Sequence, residues 1–341
     1  MNIYDMAKIC GVSVASISRV INGKEGVGDE RRKMIQDKLD EIGFIPKIAV
    51  STFDTIAVIV AFEDDNPFSN SYIYEIIKGL SDVIFHRQKT FTIFSTLYIP
   101  LNKDEFRVFC NKHQIGGVIF LALRRDQKNI DDLASIIPTV ALGSPYPSFK
   151  NITFINADNF EGAYSLTKYL ISLGHNKISF AVPSLDSFED HSQRFLGYKK
   201  ALQDHGIPYN TRHLIEYDYT NYSNNDIGTM LTSMLTDKNI SPTAIFCCDD
   251  QEAYRIFNIL TSLGYKIPED ISIAGFDDYE MSSHFNPPLT TVKQPLIEEG
   301  RLAGNILCDA IEKRVLLRHE LFTLPTELII RKSVTNIKDK N

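Results

Sequence analysis

Gly11-Val12-Ser13-Val14-Ala15-Ser16-Ile17-Ser18-Arg19-Val20-Ile21-Asn22-Gly23 decides how the first fifty residues fold. Gly11 stops one short helix, begun at Ile3 after the Asn2 cap, and Ser13 caps the next. That second helix runs from about Val14 to Ile21, with Ile17, Val20 and Ile21 at helical spacing, and Asn22-Gly23 ends it. A third helix is predicted from Asp29 to Ile42; Ile35, Leu39 and Ile42 share its inner face, and Gly43 and Pro46 terminate it. Two helices across a tight glycine turn, braced by a third, form a helix-turn-helix DNA reader. Val14, Ala15, Ser18 and Arg19 are expected to point away from the core. Arg19 has the fork that bonds both acceptors of a guanine, and Val14 and Ala15 can touch a thymine methyl. Ser13, Ser16 and Asn22 suit phosphate oxygens. The plainer alternative leaves Arg19 solvated and the serines as helix caps.

An acidic total ordinarily argues against a nucleic-acid partner, but here the total hides an asymmetry. The 341 residues are 43% hydrophobic and 23% charged, enough for two or three folded units and against a disordered tail or rod. The net charge is −7, yet residues 1–50 carry +1, so the acidic excess lies elsewhere. The longest apolar runs, 56–62 and 116–123, are far short of the roughly 18–20 residues of a membrane span. The N-terminus lacks a basic head followed by an apolar segment, so no signal peptide is expected. Five scattered cysteines, an odd number, predict reduced thiols and a cytoplasmic location.

Residues 2–46, with Gly-Val-Ser-Val-Ala-Ser-Ile-Ser-Arg-Val-Ile-Asn-Gly at their centre, resemble the headpiece of the LacI/GalR family of repressors. The resemblance implies that Val14, Ala15 and Arg19 select operator sequence, while Asn2, Tyr4, Ser13, Ser16 and Asn22 support backbone docking. The Val-Ala-Arg combination is more similar to the galactose-repressor branch than to the lactose or purine branches. The linker departs from the family. Lys47-Ile48-Ala49-Val50-Ser51-Thr52-Phe53 stands where relatives carry a hinge helix with a minor-groove leucine. Phe53 either takes that wedge position or packs against the core behind an extended linker.

From residue 55 onward strand and helix patterns alternate. Ile56–Ala61, Thr90–Ser95, Gly117–Ala122 and Thr139–Leu142 read as strands, with helices at Ile73–Phe85, Asp104–His113 and Asp131–Ile136. A second series follows: strands at Ile178–Val182, Leu214–Tyr217, Ala244–Cys248 and Ile271–Phe276, helices at Gly162–Leu173, Gln193–His205, Asn225–Asp237 and Glu252–Leu263. Two doubly wound α/β units are implied, with ligands expected beyond the carboxyl ends of strands. Asp249-Asp250 and Asp277-Asp278 stand at two such ends.

This region is similar to the same family's periplasmic-binding-protein-like effector domain. The likeness rests on Asp158-Asn-Phe-Glu-Gly162, Leu173-Gly-His175, Arg194-Phe-Leu-Gly-Tyr198, Asp249-Asp250, the 271–278 segment Ile-Ser-Ile-Ala-Gly-Phe-Asp-Asp, and Pro287 to Gln294. It implies an all-α helix-turn-helix headpiece at 1–46, a hinge at 47–54 and an α/β core at 55–335 of two doubly wound parallel-sheet lobes. The first lobe is expected at about 55–157 and 290–318, the second at about 158–289 and 319–335. It also implies effector contacts at Phe68, Tyr72, Asp158, Arg194, Tyr219, Asp249, Asp277 and Gln294. Asp249 departs from the asparagine usual there, which exchanges an amide for an acceptor-only carboxylate. Paired acceptors, a forked donor and aromatic faces suit a sugar; Asp250 and Asp278 are expected to hold loops instead.

Enzymatic signatures are missing from the sequence: no nucleophile elbow, phosphate loop or HExxH helix occurs. No catalytic residue, metal or cofactor is expected; adjacent Cys247 and Cys248 should point to opposite faces of a strand. The reading is a sugar-responsive repressor, homodimeric because the tail after Arg331 lacks heptads, with double-stranded operator DNA and a small sugar, a galactoside first, as partners. A co-repressor- or protein-dependent regulator of the same fold, and a sugar-transport protein, are the alternatives.

Overall fold

The computed structural model describes residues 3–21, 25–41, 53–60, 71–121, 123, 129–145, 149–185, 188–217 and 223–338. The headpiece has three helices, α1 (Ile3–Cys10), α2 (Val14–Ile21) and α3 (Asp29–Glu41). Met6, Ala7 and Cys10 of α1, Ile17, Val20 and Ile21 of α2, and Ile35 and Leu39 of α3 close one small core. Gly11 adopts φ +63°. There the Val12 N–H reaches the Ala7 carbonyl and the Gly11 N–H that of Lys8, a left-handed helix stop that a side chain would disfavour.

The first lobe starts with β1 (Thr55–Val60), α4 (Ser71–His86), β2 (Thr90–Ser95), α5 (Lys103–Lys112), β3 (Ile115–Leu121), α6 (Ile130–Ala134), β4 (Thr139–Leu142) and β5 (Thr153–Ala157). The second follows with α7 (Asn159–Ser172), β6 (Ile178–Val182), α8 (Glu189–Asp204), β7 (Leu214–Glu216), α9 (Asn224–Thr236), β8 (Ala244–Cys247), α10 (Asp250–Ser262), β9 (Ser272–Ala274) and β10 (Thr291–Lys293). The chain then returns through α11 (Leu296–Lys313) and β11 (Glu320–Leu324), and ends with β12 (Glu327–Ile329).

The first sheet runs β11-β5-β4-β3-β1-β2 and the second β7-β6-β8-β9, all parallel. β1 and β3 are buried on both faces, as their unbroken apolar sequences require. β10 and β12 form an antiparallel pair, and bridges Ala274–Thr290 and Asp277–Lys293 tie β10 to the end of the second sheet.

These pairings move two expected boundaries. Glu320–Leu324 was expected in the second lobe but pairs with β5 as the edge of the first sheet. Residues 290–293 were expected in the first lobe but align with the second. The reason is topological: α11 must deliver its following strand back to the sheet on which it packs. The chain therefore crosses between lobes at 157–159, 293–296 and 324–327. The Asp158 N–H donates to the Leu324 carbonyl at 2.9 Å, joining the first and third crossings. Strand β5 was absent from the sequence reading because Thr153-Phe-Ile-Asn-Ala157 carries two polar residues, both buried here.

Phe53, a candidate DNA wedge, lies at the entry to the first lobe. It is half-buried two residues before β1, and its carbonyl is seated where a Cβ on Gly116 would be. That contact seats the Phe53 backbone against the first sheet; residues 47–52 of the linker lie outside the described residues.

Candidate functional site

Helix α2 presents its N-terminal half outward. Ala15 and Arg19 are exposed, whereas Val14, Ser16 and Ser18 are half-buried and Val14 also packs against the headpiece core. Ser13 caps the helix: its Oγ accepts the Ser16 N–H at 3.1 Å, and the two hydroxyls lie 2.9 Å apart. One hydroxyl proton is used between them, and the other can still meet a phosphate. The Arg19 guanidinium lies against Gly26, where an added Cβ would be 3.3 Å from Nη1. Tyr4, on α1, is 65% exposed. Asn2 and Asn22 lie outside the described residues. The arrangement puts a forked cation, a methyl and hydroxyls on one outward face, the donor set for a major groove.

Between the lobes, Arg194 organises a second site. It is 5% exposed. Its Nε donates to Asn159 Oδ1 at 2.7 Å, Nη1 donates to the Cys248 carbonyl at 2.6 Å, and Nη2 pairs with Asp277 at 3.3 Å. The guanidinium also lies 3.9 Å from the Phe276 ring centroid. Burial works against the charge, but Asp277, Asp190 and Asp249 more than offset it and raise the Arg194 pKa further. Asp277 accepts from the Gln294 side-chain amide and adopts φ +114°. Its burial outweighs the attraction of Arg194, so its carboxyl is pushed up to about 7.

Tyr72 enters from the first turn of α4, half-buried, its phenol raised by burial and by Glu299, Asp190 and Asp277. Asp249 is half-buried and caps α10 by accepting the Glu252 N–H at 2.7 Å. Asp158 caps α7 through the Glu161 N–H at 3.0 Å, on the first interlobe crossing. Phe68 and Tyr219 lie outside the described residues. Asp250 and Asp278 hold loops: Asp250 accepts from Ser282, Thr291 and the Tyr279 N–H, and Asp278 pairs with Arg331 at 2.6 Å.

Three residues here had no sequence assignment. Asp190 and His191 occupy the first turn of α8, which begins at Glu189 rather than the expected Gln193. Phe188, at the N-cap, offers no capping side chain, so the sequence carries no start signal there. Asp190 accepts the Ser144 N–H at 2.8 Å and the Asn159 amide at 3.0 Å, so it spans the lobes. Glu299, in the first turn of α11, is the third.

His191, Cys248 and Asp249 bring ligand atoms within 4.8 Å of one another. Burial holds the Cys248 thiol well above its usual range, and it donates to Asp249 at 3.6 Å. A thiol in that state is a poor metal ligand.

Comparisons with known proteins match both parts of the chain. Residues 2–47 match the bacterial regulatory proteins of the lacI family, and residues 167–334 match a periplasmic binding protein-like domain. The chain is 32% identical over 336 residues to the NTD biosynthesis operon regulator NtdR of Bacillus subtilis (strain 168), covering 97% of this chain and 99% of that protein. It belongs to the lacI family. This lacI-family member is 27% identical to catabolite control protein A of Priestia megaterium, across 98% of this chain and 99% of that protein. Its fold is similar to that of a transcriptional regulator CelR–cellobiose complex, with TM-score 0.70, 24% identity, and coverage of 98% and 99%. It is thus a DNA-binding transcriptional repressor with a ligand-binding core, not an enzyme. Among the described residues no helix is long and apolar enough to cross a membrane.

Proposed function

We propose that this lacI-family repressor is a homodimer whose operator affinity is set by a small sugar held between the lobes, a galactoside being the first candidate. One observation carries the reading: Arg194, Asp277 and Gln294 form an enclosed polar group where the chain crosses between lobes. Vicinal hydroxyls need adjacent acceptors and a forked donor, and these three side chains supply both. Tyr72 adds aromatic surface. A ligand spanning the crossings favours one lobe arrangement over another. In a dimer that arrangement governs whether two α2 helices meet grooves about 34 Å apart. Tyr4, Ser13, Val14, Ala15, Ser16, Ser18 and Arg19 are the described residues proposed to meet DNA. Tyr72, Asp158, Arg194, Asp249, Asp277 and Gln294 are those proposed to meet the sugar.

The test is fluorescence anisotropy on the protein's own promoter, with galactose, other neutral sugars and their phosphates. At least a tenfold change in operator affinity with one sugar is expected, and D277A should remove it. Operator affinity indifferent to every sugar overturns the reading.

A further inference from the structure

Glu299 projects from the first turn of α11, immediately after the second interlobe crossing, and is 1% exposed. Its Oε1 is fully enclosed and has no hydrogen-bond donor among the described residues. A buried carboxyl oxygen without a donor is costly and asks for a partner that the described residues do not supply. The charged and titratable groups facing it are Tyr72 on α4, Asp190 and Arg194 on α8, Asp277 after β9, and Glu298 on its own helix.

Arg194 does not meet that need. Its Nε, Nη1 and Nη2 are directed to Asn159, the Cys248 carbonyl and Asp277, all groups of the second lobe. His191 is held towards its neutral form by burial and by Arg194. The cleft thus gathers four carboxyl groups, Asp190, Asp249, Asp277 and Glu299, around one guanidinium already engaged with its neighbours. A neutral sugar would leave Glu299 and Asp277 held towards their protonated forms. An ammonium group brings a full positive charge and three donors, the complement of an enclosed acceptor.

We propose that the effector is an amino sugar whose ammonium group is received by Glu299, with Asp190 opposite, while its hydroxyls meet Asp277, Gln294 and Arg194. This rests on the sugar-effector reading and narrows it. Burial, then Asp190, pushes the Glu299 carboxyl up to about 8. An arriving ammonium favours the carboxylate, so binding expels a proton from Glu299 and tightens as pH rises from 6 to 7.5.

The experiment is titration calorimetry on the full chain with matched pairs, galactosamine against galactose and glucosamine against glucose, at pH 6 and 7.5 and in two buffers of different ionisation enthalpy. In one pair the amino member should bind at least tenfold more tightly, with proton release. In E299Q that ratio should fall below threefold and the proton release should be lost, a change that loss of packing alone would not produce. E299D, which keeps the charge, should retain the preference. The wild-type ratio stands as a test even if E299Q does not fold. Equal affinity within every pair, or a preference that E299Q retains, overturns the amino-sugar assignment and leaves the sugar reading intact. If no member binds, the amino-sugar assignment falls, and the sugar reading is decided by the wider promoter panel.

Discussion

Asp190 fastens the two lobes to each other through Ser144. The carboxylate stands on α8 of the second lobe and accepts the backbone N–H of Ser144, which follows β4 of the first, at 2.8 Å. The same oxygen accepts from Asn159, and Asn159 in turn accepts from Arg194. A continuous hydrogen-bonded path thus runs from the first lobe to the guanidinium at the centre of the cleft. A lobe movement that breaks the first link disturbs the rest, which gives a ligand at Arg194 a mechanical connection to the lobe angle.

Removing that fastening should open the cleft. A hydrogen bond to a charged acceptor contributes about 1.5–3 kcal/mol, comparable to the difference between open and closed forms of a hinged protein. Asp190→Ala is expected to increase the interlobe distance, measured between spin labels on exposed positions of α5 and α9. An unchanged distance distribution would show that the three crossings alone fix the angle.

Arg194→Ala tests the central pair from the side of stability. It leaves Asp277 enclosed without its cation, and strips the donors from Asn159 and the Cys248 carbonyl. Breaking a buried pair by deleting one partner costs about 3–5 kcal/mol. Urea unfolding of the core should show a loss in that range. A loss below about 1 kcal/mol would mean that water replaces the guanidinium freely.

The legible and illegible parts of this molecule differ for physical reasons. Gly11, Ser13 and the Ile17-Val20-Ile21 spacing are local signals, and the headpiece obeys them because three short helices have little else to determine them. Buried strands such as β3 read as continuous apolar runs and are found where expected. β11 did not reveal its lobe, since an edge strand with three of its five residues exposed looks the same beside either sheet. Arg194, Asp277 and Gln294 were legible through family likeness, whereas Asp190 and Glu299 were not. Both acids sit in first turns of helices, where an acidic residue is ordinarily explained by the helix dipole. Only the packing of the two lobes brings them close enough for Asp190 to act on Glu299.

Arg19 is the prediction for DNA. It is exposed on α2 beside Ala15, with its guanidinium over Gly26 and its stem clear of the core. Arg19→Ala should weaken operator binding by about 1–3 kcal/mol and relax preference at one base pair, because a bidentate contact to guanine discriminates by that amount. Binding titrations against a panel of singly substituted operators check this. Equal losses on operator and scrambled duplex would assign Arg19 to a phosphate.

The cleft acids also predict how stability responds to pH. Burial raises Asp277 to about 7 and Glu299 to about 8, from ordinary values of 3.8 and 4.5. Between about pH 4 and 8 the folded chain therefore holds protons that the unfolded chain has released. Their contribution to stability is fully present below the ordinary values and is lost as pH rises through the folded ones. Other acids act oppositely: Asp309, lowered by its hydrogen bond from Arg87, and Asp226, lowered by Ser223, lose their contribution as pH falls. Comparing wild type with D277N/E299Q cancels those common terms. The urea midpoint of the wild type, relative to the double variant, should decline steadily from pH 5 to pH 8 without ligand. A difference that is flat or rises over that interval would show that both carboxyls are ionised, with water or a counter-ion satisfying Glu299.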